Sequence, residues 1–309
     1  WLGWPFGPLL TIGAGFTAKT LCSEYFVAGR ADPETIIEDI RDIDPAFKWV
    51  SYSLDRAAGR ASGYVGPGLS ATTAVYRDGV GCTIARGIDA DALEPLPRAL
   101  TTGVPPGEPF AVLARNPALE QMLDEAFSEP TPTSHRQTRA VVVLHRGRIA
   151  AERYAPGFGR DTPLIGWSMT KSITNNLVGF LVADGLLELD APAPVPEWQS
   201  PGDPRREITL AHLLRMSSGL DFDEEYSPGS KTTDMLFASY SAAAVAAQAS
   251  LAFPPGERWY YSSGTSNILA RIVRDTLGGR LDEVQAFTRE RLLKPLGLTW
   301  MVIETDASG

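Results

Sequence analysis

A helix-forming segment with a polar front edge constrains this chain more than any other stretch of its sequence. The segment "GWSMTKSITNNLVGFLVADG" runs from Gly166 to Gly185. Apolar side chains recur along it at helical spacing, and its last glycine is suited to a helix C-cap. We therefore predict a helix over about residues 168 to 184 that packs against a core. The positions that carry the spacing are Met169, Ile173, Leu177, Phe180 and Leu181.

Ser168 and Lys171 fall in the first turn of this predicted helix and form the only Ser-x-x-Lys pattern in the chain. Residues at i and i+3 share one helix face, so the hydroxyl and the amine can form a hydrogen bond. A serine becomes a nucleophile when a base takes its proton, and a lysine kept neutral by burial and by the helix N-terminus can be that base. The alternative is an N-cap serine beside a solvated lysine, because serine is a favoured cap residue.

A second loop-to-helix junction presents a phenol and a hydroxyl. In "PPGERWYYSSGTSNILARIV", a Pro-Gly turn leads to Tyr261, Ser262 and Ser263, directly before a predicted helix over about residues 265 to 277. A tyrosine near a lysine can relay protons to a leaving group or activate water. This junction is the second candidate element of an active site.

Taken together, these residues resemble the serine β-lactamase and penicillin-binding-protein superfamily, whose nucleophile lies in an S-x-x-K motif. The closer similarity is to its class C-type branch, with the family VIII esterases and the 6-aminohexanoate-dimer hydrolases. The resemblance covers about residues 116 to 305 and implies an α+β fold. That fold is a β-lactamase-like α/β/α sandwich, an antiparallel sheet flanked by helices, with a mostly helical subdomain that carries Tyr261. Five ordered blocks carry the resemblance: "VVVLHRGRIAAERY", "SMTKSITNNLVGFLVADGLLELD", "ITLAHLLRMSSGLDF", "FPPGERWYYSSGTSNILARIV" and "LLKPLGLTWM".

The resemblance also implies roles for individual residues. It makes Ser168 the acyl-accepting nucleophile, Lys171 its base and Tyr261 the proton relay for the leaving group and then for water. Ser263 becomes a substrate-binding residue, where many class C enzymes have asparagine. The Tyr-x-Ser form is that of the nylon-oligomer branch and argues against a dedicated β-lactamase. No metal and no organic cofactor are required by this mechanism.

One element of the family pattern is missing from the sequence. Relatives carry Lys/His-Thr/Ser/x-Gly on a late strand whose backbone supplies half of the oxyanion hole, and no such sequence follows Tyr261. The string "KTT" at Lys231 precedes the tyrosine motif and lacks the glycine. The chain ends about where relatives continue with C-terminal strands. We therefore expect a chain truncated at its C-terminus, with an incomplete sheet and without full catalytic competence by itself.

Two classes of function follow. The first is a serine hydrolase that cleaves amide or ester bonds of small substrates through an acyl-enzyme. Within this class an esterase or nylon-oligomer-type amidase comes first, and a D-alanyl-D-alanine carboxypeptidase or class C-type β-lactamase is the alternative. The second class is a non-catalytic binding module on the same fold. Burial of Lys171 beside Ser168 and Tyr261 would favour the hydrolase, whereas side chains that point apart would favour the module.

Charge and the remaining polar residues argue against other functions. A net charge of −9, without a cluster of lysines and arginines, disfavours nucleic acid as a partner. With three histidines and no G-x-S-x-G string, the chain lacks the local signature of a Ser-His-Asp hydrolase. The acidic run "DFDEEY" lacks EF-hand spacing and a partner histidine, so we interpret it as a solvated or pocket-edge loop.

Residues 1–115 resemble only the N-terminal extension of some exported relatives. We predict a boundary between this extension and a hydrolase domain over residues 116–309. The first 16 residues are apolar, which fits either the tail of a signal or membrane anchor, or an apolar strand or loop packed on the core. Cys22 and Cys82 form one disulfide if the protein is exported, or remain two free thiols. The predicted location is periplasmic or exported, with an inner-membrane anchor as a further option.

Other periodic segments predict the remaining elements. The stretch "NPALEQMLDEAF" from Asn116 reads as an amphipathic helix, and Arg146 with Gly147 marks a β-hairpin turn. Further helices are predicted over about residues 209 to 216, 241 to 250 and 281 to 293.

Overall fold

The computed structural model describes residues 7–66, 69–93, 110–131, 135–298 and 301–309. Contacts divide the chain into two units, one formed by Trp1–Val104 with Ile165–Gly309 and the other by Pro105–Leu164. This division differs from the predicted boundary at residue 115. The physical reason is that Leu21 and Ile40 share one hydrophobic cluster with Phe237, which lies far along the chain. The Pro- and Gly-rich stretch over residues 101–109 lies outside the described residues.

In the larger unit, an N-terminal helix packs on an antiparallel sheet. Within the described residues, the sheet order is β1 (Ser51–Asp55), β2 (Arg60–Val65), β3 (Ser70–Arg77) and β4 (Gly81–Ile84). Helix α1 (Gly7–Cys22) contacts β2 and β3, and helix α2 (Pro33–Ile43) contacts α1. Gly63 permits the close approach of α1, because a Cβ atom there would lie 2.3 Å from the carbonyl oxygen of Ala14.

The apolar N-terminal run is helical from Gly7 onward, so the interpretation of this run as a strand or loop is wrong. Pro8 lies in the first turn of α1, where a missing N–H removes no intrahelical hydrogen bond. The run does pack on the core, as the same interpretation expects, because Ile12, Ala18 and Leu21 are buried. Among the described residues, no helix has both the length and the apolar character needed to cross a membrane.

The C-terminal end of α1 is attached both to β4 and to the last residues of the chain. Cys22 and Cys82 are joined by a disulfide. The Lys19 amine donates hydrogen bonds to Glu304 and to the carbonyl oxygen of Cys82, each at 2.6 Å. The N–H of Cys82 donates to the same carboxylate at 2.7 Å. Burial lowers the pKa of Lys19, against the raising effect of the Glu304 charge.

The smaller unit contains the helix and the hairpin that the sequence predicts. Helix α3 (Pro117–Phe127) begins after Asn116, whose side-chain oxygen accepts a hydrogen bond from the Ala118 N–H at 3.0 Å. Strands β5 (Ala140–His145) and β6 (Arg148–Tyr154) pair antiparallel. The two residues between them, Arg146 and Gly147, both have positive φ, as a two-residue type I′ turn requires.

The remaining helices of the larger unit surround Trp198. This residue is fully buried, and its indole N–H donates to the carbonyl oxygen of Ala247 at 2.9 Å. Leu177 and Ile268 belong to the same cluster. All helices predicted after residue 166 are present, and antiparallel sheets with helices confirm the predicted α+β class. The α-helices of this part of the chain are α4 (Thr170–Ala183), α5 (Leu210–Leu214), α6 (Lys231–Phe237), α7 (Ala242–Ala247), α8 (Ser263–Thr276) and α9 (Leu281–Thr288). Among them, α6 is not predicted from the sequence.

We predict that replacing both cysteines, Cys22→Ala with Cys82→Ala, lowers the free energy of unfolding by about 4 kcal/mol. This is the loop entropy expected for a cross-link between residues 60 positions apart. Urea unfolding followed by circular dichroism measures the difference, and chemically reduced wild type should behave like the double variant. Equal unfolding midpoints for the three proteins would contradict a stabilising role of the disulfide.

Candidate active site

The loop before α4 presents Ser168 at the N-terminal end of that helix. A single 3-10 turn, Trp167–Met169, leads directly into α4, and Ser168 is exposed. Trp167 has φ of 41°, a left-handed conformation that costs a bulky residue on the order of 1 kcal/mol or more. Its indole stacks against Phe16 of α1, with ring centroids 6.4 Å apart and planes 14° from parallel. Aromatic packing from the N-terminal helix therefore supports the strained residue that precedes the serine.

The amine of Lys171 lies between two serine hydroxyls. Its Nζ is 3.1 Å from Ser168 Oγ and 3.1 Å from Ser263 Oγ, and it lies 4.8 Å from the centre of the Tyr261 ring. The four residues singled out from the sequence thus form one cluster, although they come from two helix starts more than 90 positions apart.

The interpretation of Ser168 as a helix cap does not fit this geometry. The N-cap positions of the 3-10 turn and of α4 are Gly166 and Met169, and neither makes a side-chain cap bond. The Ser168 hydroxyl instead lies within hydrogen-bond distance of the Lys171 amine, at 3.1 Å, and the side chain of Lys171 is half-buried. A hydroxyl within hydrogen-bond reach of an amine is the arrangement that a nucleophile and its base require.

Tyr261 is held beside the amine by the segment that precedes α8. Burial raises the pKa of Tyr261, but hydrogen bonds to Ser168 and Lys171 and the charge of Lys171 outweigh it, so the pKa is lowered overall. The N–H of the neighbouring Tyr260 donates to the carbonyl oxygen of Met216 at 2.8 Å, which fixes the approach of the segment. A phenol with a lowered pKa is better able to give and take a proton near neutral pH.

Ser263 is the first residue of α8 and is buried. The preceding Ser262 is the N-cap, and its hydroxyl oxygen accepts from the Thr265 N–H at 3.1 Å. The following Gly264 allows the Phe222 ring to pack against the backbone, because a Cβ atom there would lie 2.8 Å from that ring. In the tripeptide Ser-Ser-Gly, the first serine therefore caps the helix, the second presents its hydroxyl to Lys171, and the glycine allows close packing.

Glu224 is a site residue that the sequence reasoning missed. Its carboxylate accepts a hydrogen bond from the Ser263 N–H at 2.6 Å and another from the Ser263 hydroxyl. The Tyr226 hydroxyl donates to the same carboxylate at 3.0 Å. Burial, and then the hydrogen bond and charge of Glu224, raise the pKa of Tyr226. The interpretation of the acidic run as a solvated or pocket-edge loop does not include this contact, because no local spacing in the run indicates a residue 39 positions later.

Other polar residues considered in the sequence have structural contacts. Lys231 begins α6 and pairs with Asp221 at 3.0 Å. His212 and Thr209 cap α5 reciprocally, because the backbone N–H of each residue donates to the side chain of the other. Within the described ranges, no group of three or more His, Cys, Asp or Glu side chains is placed to hold a metal ion.

Comparisons with known proteins identify the family of this chain. The family model described as Beta-lactamase matches residues 120–309, and the chain belongs to that family. A curated relative, the 6-aminohexanoate-dimer hydrolase of Paenarthrobacter ureafaciens, is 29% identical over 127 residues, which is 39% of this chain and 29% of the relative.

A solved structure shows a more distant similarity. It belongs to a protein from Bacillus anthracis assigned as a 6-aminohexanoate-dimer hydrolase, at 20% identity and a TM-score of 0.47. The match covers 62% of this chain and 53% of that protein. The chain thus spans less than a third of the length of the curated relative and about half of the solved one.

We predict that Lys171→Met raises the pKa of Tyr261, because the phenol loses both a hydrogen bond and a neighbouring positive charge. Spectrophotometric titration of tyrosinate should show one wild-type tyrosine that ionises below the usual value of about 10 and is absent from Tyr261→Phe. Lys231→Met, which removes a lysine paired elsewhere, is the control and should leave the titration unchanged. Identical curves for Lys171→Met and wild type would contradict the coupling.

Proposed function

We propose that the protein is a serine hydrolase that cleaves amide or ester bonds of small substrates through an acyl-enzyme on Ser168. The observation that carries the proposal is the position of the Lys171 amine, within hydrogen-bond distance of Ser168 and beside Tyr261. Membership of the Beta-lactamase family and similarity to a 6-aminohexanoate-dimer hydrolase support it.

In the proposed reaction, Lys171 takes the hydroxyl proton while Ser168 Oγ forms a bond to the substrate carbonyl carbon. The tetrahedral intermediate collapses as the bond from carbon to the leaving nitrogen or oxygen breaks. Tyr261 gives its proton to that atom and receives the proton that Lys171 took from Ser168, so that both groups return to their starting state. Water then attacks the carbonyl carbon of the ester that links substrate to Ser168, and one water proton passes to Lys171. As the bond from carbon to Ser168 Oγ breaks and the acid product leaves, Lys171 returns this proton to Ser168 Oγ.

Exposed aromatic side chains next to the proposed catalytic residues support a small substrate with an apolar part. Trp167 precedes Ser168, while Trp259 and Tyr260 precede Tyr261, and all three are exposed. Aromatic surfaces beside polar reacting groups are typical of sites for small organic molecules. A hydroxyl at Ser263, in place of the asparagine of many class C enzymes, favours an esterase or a nylon-oligomer-type amidase over a D-alanyl-D-alanine carboxypeptidase or a β-lactamase.

We also propose that the protein acts outside the cytoplasm. The support is the disulfide between Cys22 and Cys82, because disulfides persist in oxidising compartments such as the periplasm.

We predict that a fluorophosphonate probe adds covalently to Ser168, because the probe reports an activated serine hydroxyl. Intact-mass spectrometry should detect one adduct in wild type and none in Ser168→Ala. The matched control is Ser172→Ala, an exposed serine on the same helix, which should keep the adduct. If the gene encodes residues beyond Gly309, the longer protein is labelled in parallel. A folded wild type that gives no adduct in either form would overturn the hydrolase and favour the non-catalytic binding module.

We expect hydrolysis of p-nitrophenyl butyrate and of the 6-aminohexanoate dimer to exceed that of nitrocefin or a D-alanyl-D-alanine peptide. Pocket differences of 1 to 3 kcal/mol correspond to rate ratios of about 10 to 200, which a side-by-side comparison of kcat/KM resolves. Faster turnover of nitrocefin or of the peptide would instead favour the β-lactamase or carboxypeptidase alternative.

A further inference from the structure

The carboxylate of Glu224 uses both hydrogen-bond donors of Ser263. It accepts from the backbone N–H at 2.6 Å and from the hydroxyl. The side chain of Glu224 is half-buried, and the Tyr226 hydroxyl donates to Oε1, the same oxygen that accepts from the Ser263 hydroxyl. Glu224 therefore lies at the N-terminus of α8, where a negative charge is favourable.

This contact decides which way the Ser263 hydroxyl points. A serine hydroxyl has one hydrogen, and an ionised carboxylate can only accept. Because the hydrogen of Ser263 is directed to Glu224, its Oγ is left as an acceptor for Lys171, 3.1 Å away. The lysine must then donate to Ser263 and cannot accept from it.

The direction of the hydrogen bond between Lys171 and Ser263 determines whether Lys171 can act as a base. The amine can act as a base only after it has lost one proton, and in that neutral form a lysine has two N–H bonds and one lone pair. When one N–H of this neutral amine is directed to Ser263, the lone pair remains available for the proton of Ser168, whose Oγ lies 3.1 Å from Nζ. If the Ser263 hydroxyl were free to rotate, it could donate to the same lone pair and compete with the nucleophile.

A purely structural role does not account for all of these contacts. The side-chain cap of α8 is already supplied by Ser262. The hydrogen bond to the Ser263 N–H would by itself explain a second cap, but it does not require the additional bond to the hydroxyl that faces Lys171.

We propose that Glu224 is a positioning residue that orients the Lys171 lone pair toward Ser168 by holding the hydroxyl hydrogen of Ser263. The inference rests on the proposed hydrolase function and deepens it. An amide in place of the carboxylate could donate to Ser263 Oγ. The Ser263 hydroxyl would then be free to donate its hydrogen to Lys171, which reverses the hydrogen bond between these two residues.

The test is the kinetics of fluorophosphonate labelling of Ser168 in Glu224→Gln. The first-order rate at saturating probe should fall by about 10-fold to 100-fold, the loss expected when a reacting group is misoriented. The probe concentration for the half-maximal rate should stay within about twofold, because the ground-state contacts of the probe are unchanged. The matched control is Glu225→Gln, the same change at the neighbouring exposed residue, which should label like wild type.

A double-mutant cycle separates positioning from general stabilisation. In a Ser263→Ala background, Glu224→Gln should change the labelling rate by less than about twofold, because the hydroxyl through which it acts is gone. An equally large loss in both backgrounds would overturn the inference, as would a wild-type rate for Glu224→Gln.

Two further outcomes are also decisive. If circular dichroism shows that Glu224→Gln is unfolded, Ser263→Ala decides. This variant removes the acceptor that orients one N–H of Lys171, so its labelling rate should fall, and a wild-type rate overturns the inference. If wild type itself gives no adduct, the proposed function fails and the inference fails with it. A labelled wild type with unaffected variants overturns the inference alone.

Discussion

Two helix N-termini have to meet for the Lys171 amine to reach both serines. Ser168 and Lys171 lie at the start of α4, and Ser263 is the first residue of α8. The bodies of these helices contact each other and contribute Leu177 and Ile268 to the same buried cluster. Apolar packing along the helices therefore sets the separation of the polar groups at their ends. Because packed cores deform little, distances of about 3 Å can be maintained without direct bonds between the backbones.

The N-terminal residues are part of this arrangement and do not form an independent appendage. Phe16 of α1 packs against both Trp167 and Phe237, so one aromatic ring contacts the turn before Ser168 and helix α6. Gly15 lets α1 approach α6, since a Cβ atom there would lie 2.9 Å from the Phe237 carbonyl oxygen. The disulfide and the Lys19 to Glu304 ion pair attach the other end of α1. A strained residue such as Trp167 persists only where its surroundings impose the conformation, and α1 supplies part of those surroundings.

The sequence predicted the features that depend on local patterns. Helical spacing after Ser168 and the Arg146-Gly147 turn each reflect interactions within a few residues, and the corresponding elements are present. The clustering of Ser168, Lys171, Tyr261 and Ser263 was anticipated through the family resemblance, because no local rule brings two helix starts together. Helix α1 was not predicted, since a uniformly apolar run has no amphipathic period. The predicted domain boundary differs from the observed units for a similar reason, because contacts of α1 with Phe237 leave no trace in composition.

The role of Glu224 depends on the identity of residue 263, so the segment around Glu224 does not by itself indicate that role. A hydroxyl can donate to or accept from the same neighbour, so a serine facing Lys171 has no inherent direction. An asparagine side chain, as in many class C enzymes, separates its donor and acceptor into two atoms. A serine at this position therefore needs a partner that removes the ambiguity, and a carboxylate does so because it only accepts. Ser263 and Glu224 are coupled in this sense, and the coupling depends on a fold that places the loop before α6 against the first turn of α8.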